Sequence, residues 1–186
     1  MTDQISLRKD RIFLMGFMGS GKSTIGPILA NTIGYDFLDI DRAIETRTKK
    51  SVTEIFREDG EQYFRSVERD IISQIIAHPR LVVSLGGGTV TDPELFRVIA
   101  SSGILVYLKV TPEQLYRRLH RKTDRPLLAD IEGNRLGEPE LRDRIQTLYT
   151  SREPIYSKAD IVVMTDDTRV GITVDQIVKL LSRHLR

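Results

Sequence analysis

Five short apolar runs, Ile12 to Met15, Phe37 to Ile40, Leu81 to Leu85, Ile104 to Leu108 and Ile161 to Met164, are separated by longer stretches whose apolar residues recur with a helical period. That alternation constrains the chain more than any other feature. A strand that is followed by a helix before the next strand pairs in parallel, because a parallel neighbour is reached through a crossover. The runs are nearly continuous in apolar residues, as expected of strands buried on both faces under helices. An α/β fold with a parallel sheet is therefore predicted, and 186 residues leave room for one domain, residues 1–186.

The helices between the runs carry their own punctuation. Ile25, Ile28, Leu29 and Ile33 follow a 3.6-residue period that stops at Gly34, a residue suited to a left-handed C-cap. Ser51 and Glu54 form a capping-box pair, and Phe64, Val67, Ile71 and Ile75 mark the buried stripe of a helix from about Gly60 to Ala77. Asp92-Pro93 and Thr111-Pro112 each set a capping side chain before a first-turn proline, and a last helix is expected from Val174 to about His184. Pro27 falls inside the first helix, where it removes a backbone donor, so a distortion is expected there. The glycine- and proline-bearing stretch from Ala129 to Glu140 is the longest loop-like segment, and a mobile lid is expected over about residues 122–140.

Composition narrows the function classes. No cysteine is present, which excludes disulfide scaffolds, thiolate metal sites and cysteine nucleophiles. The net charge is +2, too small an excess for a nucleic-acid surface, and the aromatic residues are not interleaved with basic ones. No run approaches the roughly 18 apolar residues of a membrane span, and the first residues lack the apolar stretch of a secretory signal. A cytoplasmic enzyme without nucleic-acid or membrane partners is the expectation.

Gly16-Phe17-Met18-Gly19-Ser20-Gly21-Lys22-Ser23-Thr24 matches G-x-x-x-x-G-K-[ST], and it stands between an apolar strand and an amphipathic helix. Glycines at these positions let successive backbone N–H groups turn toward phosphate oxygens, and the following helix adds its positive N-terminal end. Gly19, Ser20, Gly21, Lys22, Ser23 and Thr24 are thus candidate ATP contacts, with Lys22 reaching the phosphates and the Ser23 hydroxyl holding Mg²⁺. This pattern specifies a nucleoside triphosphate site without distinguishing kinase from ATPase or GTPase. Asp130-Ile131-Glu132-Gly133 matches a short D-x-x-G pattern, but no N-K-x-D guanine reader accompanies it.

Asp39 and Asp41 close the second apolar run, and a strand's two-residue period would set both carboxylates on one side, at the carboxyl end where open parallel sheets bind ligands. Asp39 would hold metal-bound water, and Asp41 would take or orient an acceptor hydroxyl proton; alternatively, Asp41 caps a helix starting at Arg42. Gly86-Gly87-Gly88 follows the third run at the same end and can bring bare backbone to a ligand, or make a tight strand exit. Arg65 lies off its helix's apolar stripe beside Glu61, where a surface ion pair is the competing use. Arg125 precedes the lid segment, Arg152 precedes Glu153-Pro154, and Arg118 could stack on adenine or stay in solvent. His78, His120 and His184 have no metal-ligand spacing.

In order along the chain, the phosphate loop, Asp39-Ile40-Asp41, Gly60-Glu61-Gln62-Tyr63-Phe64-Arg65 with Glu68, the triple glycine, Arg125-Pro126-Leu127-Leu128 and Arg152-Glu153-Pro154-Ile155-Tyr156 resemble the landmarks of the shikimate kinase family. The resemblance implies a three-layer, nucleoside monophosphate kinase-like P-loop fold with strand order 2-3-1-4-5. It also implies Mg²⁺-dependent transfer of the ATP γ-phosphoryl group to the shikimate 3-hydroxyl, in chorismate and aromatic amino-acid biosynthesis. By the same resemblance Asp41 meets the reacting hydroxyl, Arg65 and Arg152 hold the substrate carboxylate, Gly87 offers backbone to ring hydroxyls and Arg125 is the lid arginine; a monomer is expected. Pro27 and the length of the 130–140 segment depart from the family pattern. The related gluconate kinases would share the ATP machinery and differ in the acceptor site, and Arg65, the triple glycine and Arg152 argue against them.

Overall fold

The computed structural model describes residues 10–120, 128 and 136–184. Strands β1 (Arg11–Met15), β2 (Asp36–Asp39), β3 (Leu81–Ser84), β4 (Ile104–Lys109) and β5 (Ile161–Met164) form one sheet in the order β2-β3-β1-β4-β5. All four pairings are parallel. The helices among the described residues are α1 (Lys22–Ile33), α2 (Ile40–Thr48), α3 (Val52–Glu58), α4 (Gly60–Ile75), α5 (Pro93–Ser102), α6 (Pro112–Leu119), α7 (Glu138–Tyr156) and α8 (Val170–His184).

Alternation along the central strands sorts the core into two layers. Ile12, Leu14, Val82, Val106 and Leu108 pack with α1 and α8 on one face. Phe13, Met15, Val83, Leu105 and Tyr107 pack with α2 to α7 on the other. Successive side chains of a strand point to opposite faces, so a strand buried on both sides needs apolar residues at every position. β1, β3 and β4 are apolar and buried except at one end each, where Arg11 and Ser84 are buried polar residues and Lys109 is half-buried. The outer strands differ. Ile161 and Val163 are buried while Val162 and Met164 stay exposed, because β5 is an edge strand covered by α8 on one face and only partly on the other. β2, at the opposite edge, is exposed or half-buried throughout.

The punctuation holds at most helix ends. Gly34 caps α1 at φ 71°, Ser51 and Glu54 complete the capping box of α3, and Asp92 and Thr111 cap α5 and α6. α8 begins earlier than expected, at Val170 rather than Val174. α1 runs from Lys22 to Ile33 as one helix through Pro27, which is exposed. The lost donor leaves only the Ser23 carbonyl without its helical bond, near the N-terminal end where water can reach it. Most of the expected lid, including Arg125, lies outside the described residues, and its last residues, Glu138 to Glu140, are the first turn of α7. α1 packs tightly on β2 at Gly26, where a Cβ would run into the Phe37 ring. That close approach brings the start of α1 to the carboxyl end of β2.

Candidate active site

The loop from β1 to α1 is built as its glycines require. Gly16, Gly19 and Gly21 have φ of 147°, 80° and 101°, a region other residues rarely enter. Lys22 is buried, and its Nζ donates to the carbonyls of Gly16 at 2.7 Å and Phe17 at 3.1 Å, so the ammonium lies folded over the loop. Ser20 is buried too, and its Oγ has no hydrogen-bond partner. Ser23 Oγ donates to Asp39 Oδ2 at 2.7 Å, joining the helix start to the end of β2.

Asp39 and Asp41 do come together, but not as two residues of one strand. β2 ends at Asp39, whose Oδ1 accepts from the N–H groups of Asp41 and Arg42 at 3.1 and 3.4 Å and caps α2. Asp41 sits in the first helical turn. The capping role weighed for Asp41 therefore belongs to Asp39, and the sharp strand-to-helix turn carries both carboxylates to one cleft. That cleft has a volume of about 310 Å³ and is lined by Gly19, Lys22, Ser23, Asp39, Asp41 and Gly87, among others. A hydroxyl beside a carboxylate at a phosphate cradle is the hard-oxygen donor set that Mg²⁺ accepts when phosphates and water complete its shell. Among the described residues no group of three or more His, Cys, Asp or Glu is gathered to hold a metal ion.

The triple glycine is the floor on which the acceptor-side groups meet. A Cβ at Gly86 would stand 3.0 Å from Asp41 Oδ1, one at Gly87 would stand 3.4 Å from Arg152 Nη1, and one at Gly88 would stand 2.5 Å from Arg65 Nη2. Asp41 and the two arginines thus lie against three consecutive residues, though they come from α2, α4 and α7. Arg65 does pair with Glu61, as a surface reading would have it, at 3.1 Å. It is also bonded to Glu68 at 2.8 Å, and Glu68 is fully buried, with Thr89 Oγ1 donating to its other oxygen at 2.5 Å. Burial works against the Arg65 charge, yet Glu68 and Glu61 hold the guanidinium pKa above its ordinary value. Arg152 is only 8% exposed, and its Nη1 has no hydrogen-bond partner.

Arg118 is half-buried and donates to the carbonyls of Gly19 at 3.1 Å and Thr165 at 2.7 Å. It is not the solvated arginine weighed as one alternative. A second cleft of about 260 Å³ shares Gly19, Gly21, Thr24 and Arg118 with the first and extends toward Thr165 and Thr168. Residue-by-residue reading gave no role to Glu68, Glu153 or Tyr156. For Glu68 a signal existed, since it stands three residues after Arg65 on the same helix face.

The shikimate kinase family profile matches residues 18–182. The shikimate kinase of Chlorobium limicola is 49% identical over 175 residues, covering 94% of this chain and 88% of the relative. That of Chlorobaculum tepidum is also 49% identical, covering 94% and 92%. Among solved structures, shikimate kinase from Acinetobacter baumannii in complex with shikimate superposes with a TM-score of 0.85 at 31% identity, over 95% of this chain and 96% of the other. Shikimate kinase from Bacteroides thetaiotaomicron gives 0.83 at 33% identity, over 92% and 98%. A gluconokinase from Sinorhizobium meliloti gives 0.59 at 19% identity, over 95% of this chain and 93% of the other, a likeness of fold alone.

Proposed function

The chain belongs to the shikimate kinase family, a family of ATP-using kinases, and from that premise we propose how its residues divide the transfer of the ATP γ-phosphoryl group to the shikimate 3-hydroxyl. The observation that carries the reading is one cleft in which a phosphate cradle faces a glycine floor flanked by Asp41, Arg65 and Arg152.

Gly19, Ser20, Gly21 and Thr24 line the phosphate side, where inward-turned N–H groups and the N-terminal end of α1 favour anionic oxygens. Lys22 supplies a buried ammonium there, moving from the loop carbonyls to phosphate oxygens. The second cleft beside Arg118 and Thr165 supports an adenosine position on that side, with Arg118 bracing it. Ser23 and Asp39 would hold Mg²⁺, Ser23 directly and Asp39 through water, as their shared hydrogen bond supports. When bound, the metal neutralises charge shared by the β and γ phosphate oxygens.

On the acceptor side, Asp41 orients the reacting hydroxyl and accepts its proton. Arg65 and Arg152 hold the carboxylate, and Gly87 presents backbone to the ring hydroxyls. Two guanidiniums at consecutive glycines, one with a buried nitrogen lacking a partner, support a planar anionic group at that spot. Arg125, outside the described residues, keeps its proposed place as the lid arginine, and the chain is proposed to act as a monomer. No helix among the described residues is long and apolar enough to cross a membrane.

The test is coupled ADP release measured with shikimate, gluconate, nucleoside monophosphates and no acceptor. The reading expects turnover that requires shikimate and Mg²⁺. Equal turnover without acceptor, or a preference for gluconate, contradicts it.

A further inference from the structure

Arg152 lies on α7 two residues before Pro154, which lacks a backbone donor. Pro154 cannot donate to the Thr150 carbonyl, so one helical hydrogen bond is missing beside the acceptor site. Side chains make up the difference. Glu153 turns to β4, where it accepts from the Tyr107 hydroxyl and from Lys109 Nζ, the latter at 2.5 Å. Tyr156, one turn after Arg152 and 1% exposed, donates its hydroxyl to the Gly87 carbonyl. The Tyr156 ring packs on Tyr107 with centroids 5.2 Å apart, so the two anchors brace each other.

Burial pushes the Tyr156 phenol up to about 12, and the neighbouring Arg152 guanidinium, by charge and a hydrogen-bonding contact, opposes that rise. The hydroxyl therefore stays protonated and able to donate throughout the neutral range.

We infer that Tyr156 is a positioning residue for the acceptor: its hydroxyl ties the Gly87 peptide to the helical turn carrying Arg152, so backbone and guanidinium meet the substrate as one preformed unit. The inference rests on the shikimate reading given above. Its physical basis is that Arg152 keeps a buried Nη1 without a partner against Gly87. The rest of the guanidinium is restrained before binding by the Phe17 ring, whose centroid is 5.8 Å from its central carbon, and by the contact with Tyr156. Restraint supplied before binding does not have to be supplied by the substrate, which raises affinity without adding a contact.

Tyr156→Phe removes the hydroxyl and keeps the packed ring. It should raise the shikimate KM about fivefold, the usual scale for one hydrogen bond, while the ATP KM changes by less than about twofold. Repeating the change in an Arg152→Ala background separates positioning from general loosening. If the hydroxyl acts through Arg152, the second substitution should then raise the shikimate KM by less than about twofold. A full fivefold effect in that background, parallel changes in both KM values, or an unchanged shikimate KM in the single variant would each overturn the inference. Glu153→Gln is the second probe, because it weakens the anchor on β4 without touching the cleft. A rise in shikimate KM with ATP KM kept is expected, and no change would count against the inference. Failure of the underlying reading has a different signature, namely wild-type protein whose ADP release does not depend on shikimate.

Discussion

The two halves of the cleft are made by opposite means. The phosphate side comes from one contiguous segment, residues 16–24, and is mostly backbone: three glycines with positive φ, a helix start and one lysine. The acceptor side is mostly side chain, and its parts come from α2, α4, the loop after β3 and α7. A backbone cradle is specified locally, by residues that permit a conformation. A side-chain clamp is specified by packing, because each arginine needs its own partners to hold it in place. The difference implies that changes on the two sides should separate kinetically.

The largest expected effect is at the boundary between the halves. Asp41→Asn should lower kcat by about 10² to 10⁴ while nucleotide affinity is largely kept, the usual range for a lost general base. Steady-state kinetics and nucleotide titration check this, and a collapse of ATP affinity would move Asp41 to the phosphate side. Lys22→Ala should lower kcat by about 10² to 10³, the scale for losing one group that stabilises transferring charge, and should weaken ATP without affecting shikimate binding measured alone. Arg65→Ala should raise the shikimate KM about 10-fold or more, since a hydrogen bond to a charged group contributes ~1.5–3 kcal/mol, with ATP KM nearly constant. Arg65→Lys should recover only part of that loss, because an ammonium lacks the planar fork.

The smallest effect sharpens the comparison through pH. Burial raises the Glu153 carboxyl pKa, but Lys109, Tyr107 and Ser157 together hold it below the ordinary carboxylate range. A group with a depressed folded pKa stabilises the fold above its unfolded pKa and loses that contribution as pH falls through the folded one. Lys109, raised by its bond to Glu153, contributes throughout the same window and loses its share only above the ordinary lysine range. Lys109→Met should therefore lower Tm most near neutral pH, and the gap from wild type should narrow as the medium is acidified below the carboxylate range. Thermal melts across that window measure it, and a gap that widens toward acid would contradict the assignment.

The same contrast accounts for what could be read in the chain beforehand. The phosphate loop was legible because glycine spacing and the lysine act at close range, and the caps at Gly34, Ser51, Asp92 and Thr111 were legible for the same reason. The partial exposure of β5 was not, since a short apolar run looks alike at the edge and in the middle of a sheet, and only sheet order decides which it is. Asp39 and Asp41 were correctly paired for the wrong reason. The strand stopped one residue early because the Asp39 carboxylate accepts from two N–H groups of the next turn and starts a helix there. Arg118 was ambiguous because its partners, the Gly19 and Thr165 carbonyls, are brought to it only by the pairing of β1 and β5 with β4. Tyr156 and Glu153 carry no spacing signal, since their partners Gly87 and Tyr107 lie on other elements.

The central claim is that the acceptor's carboxylate is held by arginines that take no part in nucleotide binding. It is tested most directly by comparing shikimate with an analogue lacking the carboxylate, in wild type and in Arg65→Ala, with ATP saturating. The account predicts that wild type binds the analogue about 10-fold or more weakly than shikimate, and that Arg65→Ala loses most of this discrimination with an unchanged ATP KM. If Arg65→Ala discriminates as strongly as wild type, Arg65 serves only its ion pairs with Glu61 and Glu68, and the clamp assigned to the acceptor side is wrong.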